Sequence, residues 1–437
     1  MASREFEYKT LTEVGTLGRG KSRHRPRNDP DLYGGEYPFV QTGDIKHAPF
    51  YLTEYTQTYN AKGLAQSKLW PAGTLCITIA ANIADTAILA IPACFPDSIL
   101  GFTPHPLEAD VRYTKYCLDA FRGHMEQISK GTTQDNLSMD KLLKLRFWFP
   151  AYELQRKIAA LLTAYDDLIA NNQRRIALLE SMAEEIYREW FVRMRFPGCE
   201  TATFSRGIPE GWEVVQLGEH CDVVKGKSYT SEDLVDDPTA MPFVTLKSFN
   251  RGGGYRAGGL KYYKGEFKSA QLVKQGDIVM AVTDMTQDRV VVGRAARVPD
   301  LGERGAVISL DVIKLAPKKI DPTYLYLFLR FSGFANYIKE FANGANVLHL
   351  KPDLVPAQNV LMPPRALQDQ VSRIAEPMLQ QAEQLAQSCR RLSEMRDALL
   401  PRLISGKLRV EALDIQFPPS MPPPPAGAAQ PGEAIAP

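Results

Sequence analysis

Between Tyr152 and Met194 the chain has neither glycine nor proline, and apolar or core-compatible residues recur every three or four positions. They are Leu154, Ile158, Leu161, Tyr165, Leu168, Asn172, Ile176, Leu179, Ala183, Ile186 and Trp190. This spacing predicts one long amphipathic helix with a heptad-like seam, and the four-four step around Asn172 is a stutter in it. Pro197-Gly198 stops the pattern. A second stripe begins near Ala366 with Leu367, Val371, Ile374, Met378, Leu385, Leu392, Met395 and Leu399. Gln381 and Ser388 fill two of its seam positions, and Pro377 is a candidate kink. At ~1.5 Å per residue, about 40 residues make a rod near 60 Å long. Such a helix cannot bury its stripe alone, so the two are expected to pair as an antiparallel coiled coil with pseudo-twofold symmetry. The competing arrangement folds each helix onto its own globular region.

Outside the two stripes the pattern changes. Short apolar or alternating runs are broken by Gly, Pro and Asn, as in Leu75–Ala80, Ala87–Ile91, Ile278–Val282, Val290–Val292 and Val307–Ile313. These read as strands, whereas Tyr324–Phe341 reads as a helix. The landmarks recur in order with a period of roughly 205–213 residues. Gly20-Lys21-Ser22 answers Gly226-Lys227-Ser228, and Pro38-Phe39-Val40 answers Pro242-Phe243-Val244. Pro71 to Thr78 answers Lys274 to Ala281, Gly131 answers Gly344, and Phe149-Pro150 with Leu154-Gln155 answers Met362-Pro363 with Leu367-Gln368. The prediction is an α+β chain with two α/β globular domains, 1–150 and 206–365. Helices over 151–196 and 366–410 follow them, and a Pro/Ala-rich tail over 411–437 is expected to be disordered.

Composition narrows the class. The 437 residues include 52 Lys+Arg and 50 Asp+Glu, and 44% are hydrophobic. That length predicts two to four domains, and that apolar content excludes a wholly disordered chain. No apolar run reaches the ~18 residues of a membrane span, and MASREFEYKT lacks the apolar segment of a signal peptide. The six cysteines are scattered without a C-x-x-C pair, as expected of reduced thiols in a cytoplasmic protein. A net charge of +2 neither demands nor forbids a nucleic-acid partner, because a local basic surface decides that.

Candidate chemistry is sparse. Gly15-Thr-Leu-Gly-Arg-Gly20-Lys21-Ser22 satisfies the phosphate-loop pattern, which needs a strand before it and a helix after it. Here Arg23-His-Arg-Pro26-Arg-Asn-Asp-Pro30 follows, and Cys221 replaces the first glycine in the second copy. A P-loop nucleotidase therefore stands only as the enzyme alternative. No glycine-rich methyltransferase loop or Asn/Asp-Pro-Pro-aromatic turn is present; Met362-Pro-Pro-Arg365 is not one. A nuclease acid cluster fails as well, because Asp44-Ile-Lys46 is answered by Thr245-Leu-Lys247. The six histidines lack metal-ligand spacing. A noncatalytic chain is expected, with no catalytic residue and no metal ligand.

What remains is binding. Arg19, Lys21, Arg23, Arg25 and Arg27 crowd one loop beside His24, and the second copy has Lys225, Lys227 and Tyr229 in the same place. A further polar stretch carries Lys247, Asn250, Arg251 and Tyr255, with Lys261, Tyr262, Tyr263 and Lys264 after it. Cations interleaved with aromatics and amides suit phosphate contacts with base-edge readout. Lys46, Thr132 and Gln134 are the remaining candidates, the last two in a turn-forming stretch. A coiled-coil adaptor without DNA binding is the other alternative.

Several segments resemble the DNA-specificity subunit of type I restriction-modification systems. Tyr33 to Ile45 is similar to that family's Gly-Gly, Pro-aromatic, Gly-Asp-Ile stretch, and Ser129 to Leu137 resembles its Gly-Thr-Gln turn. Phe149-Pro150 through Ile158 resembles the start of its spacer helix. Ile186 to Phe191 and Leu399 to Gly406 resemble its two helix ends. The second globular region lacks the Gly-Asp-Ile and Gly-Thr-Gln wording. The resemblance implies two target-recognition domains, each reading half of a bipartite, asymmetric double-stranded DNA site. The helices would set the gap and dock two methyltransferase subunits. No cofactor belongs to this chain; S-adenosylmethionine would sit on the methyltransferase partner, and ATP and Mg on a restriction/translocase partner. The role implied is bacterial defence in the cytoplasm, with no membrane partner.

Overall fold

The computed structural model describes residues 7–80, 83–130 and 139–421. The chain divides into two compact units, one of residues 1–173 with 387–437 and one of residues 174–386. The boundaries fall inside both long helices, not at their ends as the linear segmentation expected. Each unit thus owns a globular region and one stretch of each helix.

In the first unit, Leu75–Thr78 and Thr86–Leu89 are buried at every position, as continuous apolar runs in a central sheet should be. Among the described residues that sheet runs Gly15–Arg19, Ile99–Pro104, Leu75–Thr78, Thr86–Leu89 and Tyr51–Leu52, antiparallel except for its last pair. A second sheet runs Gln57–Tyr59, Tyr33–Phe39, Ala93–Cys94 and Leu69–Trp70, with Tyr33–Phe39 parallel to Ala93–Cys94. Helix Val111–Lys130 was not foreseen. Asp110 caps it, its carboxylate accepting from the amides of Arg112 and Tyr113 at 2.9 and 3.0 Å. Its inner face is masked in sequence because Thr114 and Lys115 are buried alongside Tyr113, Tyr116 and Cys117.

The second unit repeats this connectivity. One sheet runs Cys221–Lys225, Val312–Pro317, Ile278–Ala281 and Ala295–Arg297. The other runs Leu234–Val235, Lys261–Tyr263, Met241–Val244, Ala306–Ile308 and Leu272–Val273, again with one parallel pair, Met241–Val244 beside Ala306–Ile308. Phe39 stacks on Tyr59 at 4.0 Å between centroids, and Phe243 on Tyr263 at 4.7 Å. Two expectations need correction. Val290–Val292 is a turn, not a strand: the buried Asp284 carboxylate draws in the amides of Val291 and Val292 at 2.6 and 3.2 Å. Tyr324–Phe341 is not one helix, because Pro322–Phe331 ends before Gly333, which sits at φ 88° and starts Phe334–Ile338 afresh.

The long helices run Tyr152–Tyr187, closing in a π turn over Arg188–Val192, and Arg365–Ile404. Pro377 does not end the second. In the first unit Ile158, Ala159, Ala160 and Leu162 share a core with Leu403 and Ile404, so the start of one helix meets the end of the other. Arg396 bonds Asp166, and the Cys389 thiol lies 3.7 Å from the Ile169 carbonyl oxygen. In the second unit Ala183 and Tyr187 share a core with Leu367, Val371, Ala375 and Leu379. Both stretches are antiparallel, and both also rest on their globular core, which joins the two arrangements set against each other above. The expected seam holds at Ile158, Asn172, Ala183, Leu367 and Val371, which are buried, and fails at Leu168, Ile374 and Met395, which are exposed.

One strong glutamine device repeats at the start of each long helix. Gln155 accepts from the Asp110 amide at 3.0 Å and donates to the Pro150 carbonyl at 2.8 Å. Gln368 does the same with Asp321 at 3.0 Å and Pro363 at 2.9 Å. Both glutamines are buried, so the bonds satisfy buried or half-buried backbone groups at the start of each helix.

The tail departs from the expected disorder over its first part. Residues 411–421 lie on the first unit: Lys157 donates to the carbonyls of Glu411 and Leu413 at 2.7 and 3.0 Å. Arg112 donates to the Ser420 carbonyl at 2.6 Å, Arg156 stacks over Phe417, and Met421 is buried. Buried guanidinium groups need acceptors, and this segment supplies one.

Candidate nucleic-acid interface

The Gly-Lys-Ser pairs sit where the two sheets of each unit meet. Gly20 and Lys21 donate their amides to Ile99 and Phe95 at 2.9 and 3.0 Å; Gly226 and Lys227 donate theirs to Val312 and Ile308 at 3.2 and 2.8 Å. A β-carbon on Gly20 would stand 2.3 Å from the Pro96 carbonyl oxygen, and one on Gly226 would stand 2.0 Å from that of Ser309. Glycine is required by this close approach. The phosphate-loop alternative fails for the same reason: Gly15–Arg19 is a strand, the Gly20 and Lys21 amides are spent on carbonyls, and the next helical turn, Pro30–Leu32, is a short 3-10 turn.

The cations predicted for this loop fall into two groups. Arg25 turns back to donate to the Ser22 and His24 carbonyls at 2.8 and 2.7 Å, and Arg27 grips both oxygens of Asp97 at 2.9 and 3.0 Å. Asp29 is held below the usual carboxylate range by the Asp31 amide and by His24. Arg19, Lys21 and Arg23 are exposed, and no side-chain bond of theirs is found among the described residues. In the second unit Lys225 pairs with Asp353 at 2.9 Å, Lys227 neighbours Asp233, and Tyr229 packs edge-on against Phe243. Lys247 and Arg251 are exposed, while Asn250 donates to the Tyr255 carbonyl at 3.3 Å. Tyr255 is half-buried beneath that turn. Thr132 and Gln134 lie outside the described residues.

Lys46 is exposed at the end of helix Thr42–His47. Its expected counterpart changes. The Gln41 amide donates to Asp44 at 2.8 Å and the Thr245 amide to Ser248 at 3.3 Å, so Asp44 matches Ser248 and Lys46 matches Asn250, not Lys247.

Sequence reasoning missed the concavity beside the first loop. It is lined by Ser22, Asn28, Gln41, Thr42, Gln57 and Ser98, over the Phe39 ring and next to Arg27. Gln41 donates to Gln57 across it. The Phe39/Phe243 register would have pointed to both residues, since it fixes which side chains stand opposite.

Residues 3–181 and 209–384 match a family profile described as the type I restriction modification DNA specificity domain. The chain belongs to that family. A relative within it, the MjaIX specificity subunit of Methanocaldococcus jannaschii, is 24% identical over 428 residues, covering 94% of this chain and 95% of its own. The EcoKI specificity subunit of Escherichia coli is 24% identical over 210 residues, covering 46% of this chain and 44% of its own. The fold is shared with a crystallised type I restriction-modification S subunit from M. genitalium, at TM-score 0.58 and 16% identity over 92% of this chain and 97% of that one. The specificity-family profile leaves out 182–208, where the first long helix ends, and matches twice, in step with the duplicated sheets.

Among the described residues no cluster of three His, Cys, Asp or Glu could hold a metal, and no helix is long and apolar enough to cross a membrane. All six cysteines are free; burial pushes the Cys221 thiol up to about 11, and those of Cys76 and Cys117 higher still.

Proposed function

We propose that this chain supplies the address for a type I restriction-modification complex. Each globular region, 1–150 and 206–365, acts as a target-recognition domain for one half of a split, asymmetric double-stranded DNA site. The helical segments 151–196 and 366–410 set the unread gap and dock two methyltransferase subunits. Those partners hold S-adenosylmethionine and flip the target adenine. Restriction/translocase subunits, with ATP and Mg, join for cleavage, and the complex works in the cytoplasm. The observation that carries this reading is the duplicated scaffold with unlike surfaces, in a chain of the DNA specificity family. Two copies of one frame with different side chains suit two different half-sites.

Exposed cations whose side chains bond no group among the described residues are the ones able to neutralise phosphates. Replacing Arg19, Lys21 and Arg23 by Ala should weaken DNA binding by the assembled methyltransferase. The log-log salt slope should flatten by about 0.9 for each phosphate that is no longer neutralised. Replacing Arg25 and Arg27 should do less, because both are held by their own loop and Asp97. A salt titration in which the first variant matches wild type removes the loop from the interface. Methylation should also fall when the gap is changed by one base pair, which rotates the second half-site by about a tenth of a turn. Indifference to gap length contradicts the spacer role.

A further inference from the structure

The strand register makes the two recognition surfaces comparable residue by residue. Phe39 stands opposite Gln57, and Phe243 opposite Lys261. Two residues beyond each Phe, Gln41 and Thr245 occupy the same capping position. The floor is constant, an aromatic pair stacked in both units. The rim differs: an amide pair, Gln41 with Gln57, in the first unit, and Thr245 with the half-buried Lys261 in the second. A stiff floor beneath a variable polar rim is how one scaffold reads different edges.

The chemistry of each rim is specific. Gln41 Nε2 donates to Gln57 Oε1, which leaves Gln57 Nε2 as a donor and Gln41 Oε1, turned toward the Asp44 amide in the capping box, with a second lone pair as an acceptor. That set complements the adenine edge in the major groove, whose N6 donates and N7 accepts. The adjacent guanidinium of Arg27 is already neutralised by Asp97, so the concavity favours a neutral base edge over a phosphate. Lys261 offers only donors, which match the O6 and N7 acceptors of guanine.

We infer that Gln41 and Gln57 determine specificity for an A·T pair in one half-site, and that Lys261 determines specificity for a G·C pair in the other. This rests on the DNA-address reading above.

The test uses the full chain assembled with its methyltransferase subunits. Methylation is measured on duplexes in which each base pair of both half-sites is changed in turn. Gln41→Ala with Gln57→Ala should lose roughly 5- to 150-fold discrimination at one A·T pair, with the other half-site read as before. Gln41→Thr with Gln57→Lys should move that preference toward G·C. Lys261→Gln should relax a G·C pair in the other half only, and it decides the matter if the first-unit variants fail to assemble. Assembled variants that keep full discrimination at every position overturn the inference while leaving the address role intact. A wild-type complex that methylates without regard to any split site overturns the address role, and this inference with it.

Discussion

Lys21 and Lys227 donate their amides to the same strand position in their respective units, and Gln155 and Gln368 bridge the same two backbone groups. Yet Ile88 of the first unit corresponds, by ladder register, to Arg297 of the second. Ile88 is buried among apolar side chains, whereas Arg297, largely covered, lies against two carboxylates, Glu376 at 2.8 Å and Glu383 at 3.1 Å. The comparison separates two kinds of constraint. Buried backbone groups must find partners, so the residues that serve them recur in both copies. Core side chains need only fill space or pair their charges, and here two solutions coexist on one frame.

The comparison breaks most visibly at Arg297. Arg297→Ala would strand Glu376 and Glu383 and should cost about 3–5 kcal/mol in denaturant unfolding. Burial pushes the Glu383 carboxyl up against the pull of Arg297, so that group can take up a proton and soften the loss. Thr163, buried eight residues after Gln155, stands where Glu376 stands after Gln368. Installing the first unit's residues, Arg297→Ile with Glu376→Thr, should therefore recover the part of the loss that Glu376 causes, with Glu383 left to take up a proton. A double variant no better than the single one would mean that the ion pair organises the second unit beyond its own energy.

The glutamines sharpen the shared side. Gln155→Ala and Gln368→Ala each leave one buried and one half-buried backbone group unpaired, and each should cost about 2 kcal/mol. Hydrogen exchange should show the loss in the altered unit alone. Equal loosening of both units in either variant would mean that the glutamine does more than serve its own helix start.

The smallest effect concerns acid. Burial of Asp284 opposes its ionisation, but the amides of Val291, Thr286 and Val292 outweigh it and hold the carboxyl below the usual aspartate range. A depressed folded value stabilises the protein above the ordinary aspartate pKa, and that contribution fades as pH falls through the folded value. Asp284→Asn should therefore flatten the acid limb of stability for the second unit. An unchanged limb would assign acid sensitivity elsewhere.

Legibility followed the same division. Gly20, Gly226, Phe39, Phe243, Gln155 and Gln368 stood out in sequence because the backbone demands them in both copies. The long helices and most of their seam were visible from the period, but the additional buried alanines were not. Ala159, Ala160, Ala375 and Ala382 are buried beside the expected Ile158, Ala183, Leu367 and Val371, while Leu168 and Met395 face solvent. Close helix approach uses small residues, which an apolar count undervalues. The rim of the first concavity escaped notice because Gln41 and Gln57 meet only through strand register.

The first unit is assembled from both extremities of the polypeptide, 1–173 and 387–437, whereas the second is one uninterrupted stretch. During synthesis residues 174–386 can condense as soon as they emerge, but the first unit must wait for Leu403, Val410 and Met421 to complete its core. Residues 7–173 thus wait for a segment made after the whole second unit, and a chain that stops short of Ser420 leaves Arg112 without that acceptor.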